Sequence, residues 1–161
     1  FSFKTPRTLI TSGGLGTMGF GLGAAMGAQI GTKEKRVINI AGDGSFAMNN
    51  NELATLVSNK IPVIIIVVNN NVLGMVRQWQ TLFYGGRYSH TTLNRKTDFV
   101  KLGEAQGVKS FRTVNKEEFD KALEYAMNNN EPVLIDYAID SDKKVFPMVA
   151  AGAPISEIIT E

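Results

Sequence analysis

Two stretches decide the fold: Arg36 to Ser45, RVINIAGDGS, and Pro62 to Asn70, PVIIIVVNN. Each opens with an apolar, largely β-branched run, and each run stops at small polar residues. Gly42-Asp43-Gly44-Ser45 closes the first and Asn69-Asn70-Asn71 the second. Runs apolar at every position suit strands covered on both faces, as in parallel sheets. Between them, Glu52 to Val57 reads as a helix, with Asn49-Asn50-Asn51 as its N-cap. Strand, helix and strand then make one βαβ unit. Its two strands run the same way, so Asp43 and Asn70 emerge together at the carboxyl edge of the sheet, where open α/β sheets bind ligands.

The same alternation extends outward. Gly19 to Ile30 is a helix rich in small residues. Asp98 to Gln106 places Phe99, Leu102 and Ala105 at helical spacing, with Gly107 as a stop. Val108 to Val114 is a weaker strand, and Pro132 to Ala138 (PVLIDYA) a stronger one. Asn115 to Met127 opens with a capping-box pattern, and Phe119, Ala122, Leu123 and Ala126 form its apolar stripe. Tyr84 to Asn94 reads as a surface loop, and the tail from Lys143 has little regular pattern. The expected architecture is a three-layer α/β/α domain with a mostly parallel sheet.

Composition narrows the chemistry. The 161 residues suit one domain, 1–161, and 43% apolar with 20% charged is ordinary for a globular protein. Seventeen basic against fifteen acidic residues leave +2, too small a surplus for nucleic acid or a membrane surface. With no cysteine there is no disulfide, thiolate catalysis or cysteine-ligated metal. The single His90 sits in a polar loop and cannot form a multi-histidine site. The longest apolar run, Ile61 to Val68, is too short for a bilayer, and there is no signal-peptide pattern. The expectation is a soluble cytoplasmic protein, and the start at Phe1 hints at a piece of a longer one.

The residue types at the sheet edge point to a metal–diphosphate site. Gly42 and Gly44 permit a tight turn and close approach. Backbone N–H groups of Gly44 and Ser45 can hold phosphate oxygens. Asp43 offers an anionic oxygen and Asn70 a neutral one. Mg²⁺ prefers such a sparse oxygen set, completed by phosphate and water. For each residue alone a cap or turn is the simpler account; together, at adjacent strand ends, they favour the site. A competing signal is Gly14-Leu15-Gly16-Thr17-Met18-Gly19, which fits G-x-G-x-x-G. A dinucleotide fold needs a strand before it and an acidic residue about 20 positions on. Arg7 to Ser12 is a poor strand and Asp43 comes late.

The wider text resembles one family. Ser12-Gly-Gly-Leu-Gly-Thr-Met-Gly-Phe-Gly21, Gly42-Asp-Gly-Ser-Phe46, Asn69-Asn-Asn-Val-Leu-Gly-Met-Val-Arg-Gln-Trp-Gln80, Arg87-Tyr-Ser-His-Thr91 and Phe146-Pro-Met-Val149 are similar to the acetolactate synthase (acetohydroxyacid synthase) catalytic large subunit. The resemblance covers nearly the whole chain. It implies the C-terminal thiamine-diphosphate-binding domain of a longer subunit, with Mg²⁺ held by the side chains of Asp43 and Asn70 and the carbonyl of Val72. Gly42, Gly44, Ser45, Gly74 and Met75 would contact the cofactor. Gly16 and Met18 would line its aminopyrimidine, with Met18 propping a bent shape. Met75 and Trp79 would shape the pocket for the second keto acid.

The implied reaction condenses pyruvate with pyruvate or 2-ketobutyrate, with loss of CO₂, in branched-chain (valine, isoleucine, leucine) amino-acid biosynthesis. The resemblance also implies FAD bound mainly by another domain, a homodimer or tetramer, and a regulatory small subunit. The family's glutamate comes from a different domain, and Glu52, Glu104 and Glu117 do not fit it, so no catalytic residue is assigned here. The isolated chain is therefore expected not to make acetolactate. Gly23 stands where the family usually has Pro. Residues by themselves leave other readings open: glyoxylate carboligase or pyruvate oxidase type enzymes, an NAD(P) oxidoreductase built on Gly14 to Gly19, or a non-catalytic assembly fragment. On their own, Met75 and Trp79 read as core or interface residues, and Gln78 and Gln80 suit a half-exposed helix or loop. Arg77 and Arg87 read as solvated unless they attract a carboxylate.

Overall fold

The computed structural model describes residues 2–93 and 96–161. Asn94, the last residue of the expected Tyr84 to Asn94 loop, lies outside them. Among the described residues a four-stranded parallel sheet runs in the order β1-β2-β4-β3, from β1 (Ile38–Gly42), β2 (Ile64–Asn69), β3 (Lys109–Thr113) and β4 (Val133–Ala138). All four strands fall within the segments read from the sequence, β1, β2 and β4 as apolar runs and β3 in the weaker stretch Val108 to Val114. The central strands β2 and β4 bury nearly every residue, as their β-branched runs require.

Helices cover the two faces unequally. On one face, α1 (Phe20–Gly31), α2 (Asp43–Phe46), α3 (Leu53–Ser58) and α5 (Phe99–Ala105) enclose a cluster that includes Leu22, Phe46, Leu53, Leu56, Ile65, Val67, Phe99 and Leu134. On the other, α6 (Lys116–Asn128) lays Ala122 and Ala126, with Phe119 and Leu123, over Ile64, Ile66, Val133 and Ile135. The expected capping stripe of α6 is therefore its buried face. Asn115 Oδ1 accepts from Glu118 N–H at 2.9 Å, and the Glu118 carboxylate reaches back to Val114 N–H at 3.0 Å.

Three local expectations are corrected. β1 alternates: Asn39 and Ala41 are buried, but Ile38 and Ile40 are exposed. β1 is an edge strand, and α6 packs against β3 and β4 at the other edge, so the Ile38 and Ile40 side of β1 is left exposed. The helix after Asn49-Asn50-Asn51 lacks a side-chain cap; Asn50–Glu52 form a 3-10 turn and α3 starts at Leu53. Asn49 instead gives its Nδ2 to Gly19 O at 2.6 Å, a stronger use of a partly buried amide. In α5, Ala105 is exposed and Gly103 takes the inward place, where a Cβ would collide with the Ser110 hydroxyl.

Two elements were not resolved by periodicity. The Met75 to Phe83 stretch, open between helix and loop, is α4 (Gly74–Phe83). The tail forms a two-residue antiparallel ladder, β5 (Met148–Val149) with β6 (Ile158–Ile159). No helix among the described residues is long and apolar enough to cross a membrane.

Candidate functional site

β1 and β2 are adjacent and in parallel register, Gly42 opposite Val68. The chain therefore leaves both strands at one edge, as the alternation required. Asp43 opens α2 directly from the end of β1 and is only 2% exposed. Its Oδ1 accepts from the Gly44 N–H at 2.9 Å. Asp43 thus stands at the strand end as a buried anionic oxygen, one of whose atoms is oriented by the Gly44 N–H.

The turn after β2 is built by asparagines. Asn70 Oδ1 accepts from Val72 N–H and Asn69 Oδ1 from Asn71 N–H, both at 3.2 Å, and Asn71 adopts φ 57°. Asn tolerates this left-handed conformation better than most residues. The buried Asn69 also donates Nδ2 to Asp136 Oδ1 at 2.9 Å, and Arg112 reaches Asp136 Oδ2 at 3.1 Å. The turn is thus pinned to β4 and β3. Val72 is buried and bridges to Thr92, which folds the 91–93 segment back over the turn.

Gly44 lies beneath a close cover. A Cβ there would stand 2.9 Å from Leu73 Cδ2 and 3.2 Å from Met18 Cε. The Gly14 to Gly19 segment arrives at the same place: Gly19 N–H donates to Ser45 Oγ at 2.9 Å. The two glycine signals that compete in the sequence are therefore neighbours in one site. Residues 2–12 form no strand, and Gly13–Leu15 make a 3-10 turn, so the strand that a dinucleotide fold needs before its glycine loop is missing.

Met75 is 50% exposed at the start of α4, and Trp79 is half-buried. Trp79 packs edge-on against Phe83, with ring centres 5.7 Å apart, and with Tyr84, Ala150 and Ala151 lines a cavity of about 130 Å³. A larger but open hollow, about 380 Å³, is lined by residues 3–9 of the N-terminal segment. Gln78 corrects the expectation of a half-exposed polar flank: it is 3% exposed and bonded to the tail. Arg77 is not a solvated arginine either. It pairs with Asp142 at 2.8 Å, which raises the guanidinium pKa and lowers that of the carboxylate, mainly through the hydrogen bond. His90 is exposed, with φ 55° and its Nδ1 beside Ser89 Oγ.

The donor set suits a lightly held magnesium ion. Among the described residues no three His, Cys, Asp or Glu gather as a metal cage. One carboxylate and one amide match an ion that keeps phosphate and water as ligands. The Ser45 hydroxyl, already accepting from Gly19, still has its proton to donate to a phosphate oxygen. Sequence reasoning missed Leu73, Asn49, Asn69 and Asp136 as supports. Asn49 and Asn69 carried a signal, each as part of an asparagine run; Leu73 and Asp136 carried none.

Residues 1–137 match the family described as "Thiamine pyrophosphate enzyme, C-terminal TPP binding domain". The chain belongs to this family. Its mostly parallel α/β sheet is that of a TPP-binding C-terminal domain. Three similar proteins carry acetolactate synthase names. A probable acetolactate synthase large subunit from Methanocaldococcus jannaschii is 46% identical over 99% of this chain and 27% of its own length. The mitochondrial acetolactate synthase catalytic subunit of Saccharomyces cerevisiae is 48% identical over 99% of the chain and 23% of its own. Acetolactate synthase isozyme 2 large subunit from Escherichia coli is 45% identical over 96% and 28%. Among solved structures, the Rhodococcus jostii thiamine diphosphate-dependent 4-hydroxybenzoylformate decarboxylase superposes with a TM-score of 0.73 at 33% identity, over 78% of this chain and 24% of that one. The TPP-binding domain thus spans about a quarter of the length of these relatives.

Proposed function

We propose that this TPP-binding domain is the C-terminal cofactor-holding part of an acetolactate synthase catalytic subunit. Such an enzyme joins pyruvate to pyruvate or 2-ketobutyrate with loss of CO₂, giving 2-acetolactate or 2-aceto-2-hydroxybutyrate. Identities of 45–48% to proteins of that name, along almost the whole chain, support this over other 2-keto acid enzymes. The likeness to a decarboxylase of a benzoylformate supports a second, broader reading: another thiamine-dependent enzyme acting on a 2-keto acid.

The observation that carries the site is the buried Asp43 at the β1 end beside the covered Gly44. Asp43 and Asn70, with the Val72 carbonyl, hold Mg²⁺. Gly42, Gly44 and Ser45 hold the diphosphate, and Gly74 lets Asn70 sit close to α4. Gly16 and Met18 line the aminopyrimidine; the 41% exposure of Met18 and its contact with Gly44 suit a residue that supports a ligand. Met75 and Trp79 face the second keto acid. Bound thiamine diphosphate supplies the carbanion chemistry for decarboxylation and carbon–carbon bond formation. This domain's own residues bind, orient and cover it. FAD on another domain, a homodimer or tetramer, a regulatory small subunit, a cytoplasmic location and a role in branched-chain amino-acid synthesis complete the proposal.

The test is calorimetric titration of the full subunit with thiamine diphosphate, with and without Mg²⁺. Saturable binding that needs Mg²⁺ and vanishes in Asp43→Ala is expected. NAD⁺ binding indifferent to Mg²⁺ and to Asp43→Ala would overturn the site. Formation of neither acetohydroxy acid by the full subunit would overturn the reaction.

A further inference from the structure

α4 is fastened differently from the other helices longer than one turn. None of its residues belongs to either apolar cluster, and its fully buried side chain is an amide, Gln78. That amide reads both backbone groups of one tail residue. Gln78 Nε2 donates to Val145 O at 2.9 Å, and Val145 N–H donates to Gln78 Oε1 at 2.8 Å. Nε2 also lies 3.0 Å from the Met148 sulfur. The preceding residue adds a second tie to the same tail, where Arg77 Nε and Nη2 both meet Asp142 Oδ1 at 2.8 Å.

The other side of the helix is held in the same manner. Gln80 Nε2 donates to Ser89 O, and Ser89 N–H donates to Gln80 Oε1, both at 3.1 Å. Two residues apart on a helix diverge by roughly 200°, so Gln78 and Gln80 grip from opposite sides. Trp79 stands between them and Met75 lies about one turn earlier. Their placement therefore depends on two amide clamps rather than on the packed core.

We propose that Gln78 is a positioning residue for acceptor choice: by locking α4 to the tail at Val145, it sets where Trp79 and Met75 stand against the second 2-keto acid. The inference rests on the acetolactate synthase reading above. Without the amide, both backbone groups of Val145, a largely exposed residue, exchange their partner for water, so α4 and the tail separate or shift. Small misplacements of groups that orient a substrate have large effects on which substrate reacts.

The experiment uses the full subunit with its cofactors, supplied with equal pyruvate and 2-ketobutyrate, and measures the ratio of the two acetohydroxy acids. Gln78→Leu keeps the size and removes every bond. The expected result is a ratio changed by at least about threefold, a size within reach of small pocket shifts, with the half-saturating thiamine diphosphate concentration and the melting temperature of the loaded enzyme little altered. Asp142→Ala, which severs only the exposed Arg77 tie, is expected to move the ratio in the same direction by less. A purely structural role would lower the melting temperature and leave the ratio alone, and that result overturns the proposal. Should Gln78→Leu fail to assemble, Asp142→Ala decides, and an unchanged ratio overturns it. If the parent subunit forms neither product, the reaction reading and this inference fall together; if it forms both and the ratio is insensitive, only the inference falls.

Discussion

The backbone N–H of Gly19 donates to Ser45 Oγ at 2.9 Å, across 26 positions of sequence. Gly19 has φ 86°, and a Cβ on it would lie 3.2 Å from Met48 Cβ. Its carbonyl accepts from Asn49 Nδ2 at 2.6 Å. Both backbone groups of one glycine are thus spent on the segment that follows β1. The loop that ends in Gly19 is held over the Asp43-Gly44 turn by these bonds.

Ser45→Ala removes the acceptor and leaves a partly buried N–H unpaired. The expected loss of stability is about 1 kcal/mol, read by urea denaturation. Thiamine diphosphate affinity of the full subunit should fall with it, because the loop over Gly44 loosens. Gly19→Ala should cost more, about 1–2 kcal/mol from the left-handed backbone alone. Equal stability of Gly19→Ala and the parent would show that the loop is not held as described.

Gly74→Ala tests the asparagine turn. A Cβ at Gly74 would stand 2.9 Å from Asn70 Nδ2, so the amide must move. Displacing a group that orients a metal ligand typically weakens metal binding by roughly 10–100-fold. Mn²⁺ titration followed by electron paramagnetic resonance, in the presence of thiamine diphosphate, reads this directly. Gly23→Ala is the control. It sits exposed at the fourth position of α1, past the first helical position where Pro fits best, and a Cβ there meets nothing within 4 Å. It should stabilise by about 0.4–1 kcal/mol and leave Mn²⁺ binding unchanged.

Asp136→Ala breaks the chain from Arg112 through Asp136 to Asn69. Asp136 is buried while Arg112 is half-exposed, so the penalty is discounted from the 3–5 kcal/mol of a fully buried pair to about 1–3 kcal/mol. The asparagine turn should become mobile as well. Hydrogen exchange at Asn71 and Val72 is expected to quicken; unchanged exchange would mean the turn holds itself.

Asp98 gives a pH signature. It caps α5, accepting from Val100 N–H at 3.0 Å and Lys101 N–H at 3.2 Å, and it pairs with Arg112 at 2.9 Å. The backbone bond from Lys101 is the largest cause of its lowered pKa, with Arg112 contributing charge. A lowered folded-state pKa means the unfolded chain takes up the proton first. The stabilisation is therefore complete above the ordinary Asp value of about 4 and is lost as pH falls through the lower folded value. Asp98→Ala should cost about 1 kcal/mol at neutral pH, the usual worth of such a cap. Its deficit against the parent should shrink below pH 4; an equal deficit at pH 7 and in strong acid would contradict this account.

Much of the fold was legible because its signals are local. Val63 to Val68 is apolar at every position and β2 is buried on both faces. Asn115 and Glu118 stand three apart and close the first turn of α6. Burial decided the failures. Ile40 sits in an apolar run, yet it is exposed because β1 lies at an edge of the sheet. Gln78 is polar, yet it is buried because the tail happens to offer both halves of a peptide group. Neither edge position nor a partner 67 residues away leaves a trace in local composition.

By itself the sequence determined the α/β alternation, the arrival of Asp43 and Asn70 at one sheet edge, and the motif text shared with thiamine-dependent synthases. Those follow from short-range sterics, from burial periodicity and from the parallel sense that a crossover imposes. Only the tertiary structure decided that Gly14 to Gly19 serves the same site as Asp43, that Asn69 leans on Asp136, and that α4 hangs from two glutamine amides. Each of these joins polar groups far apart in the chain. A buried N–H or carbonyl must find some partner, and packing alone determines which partner is within reach.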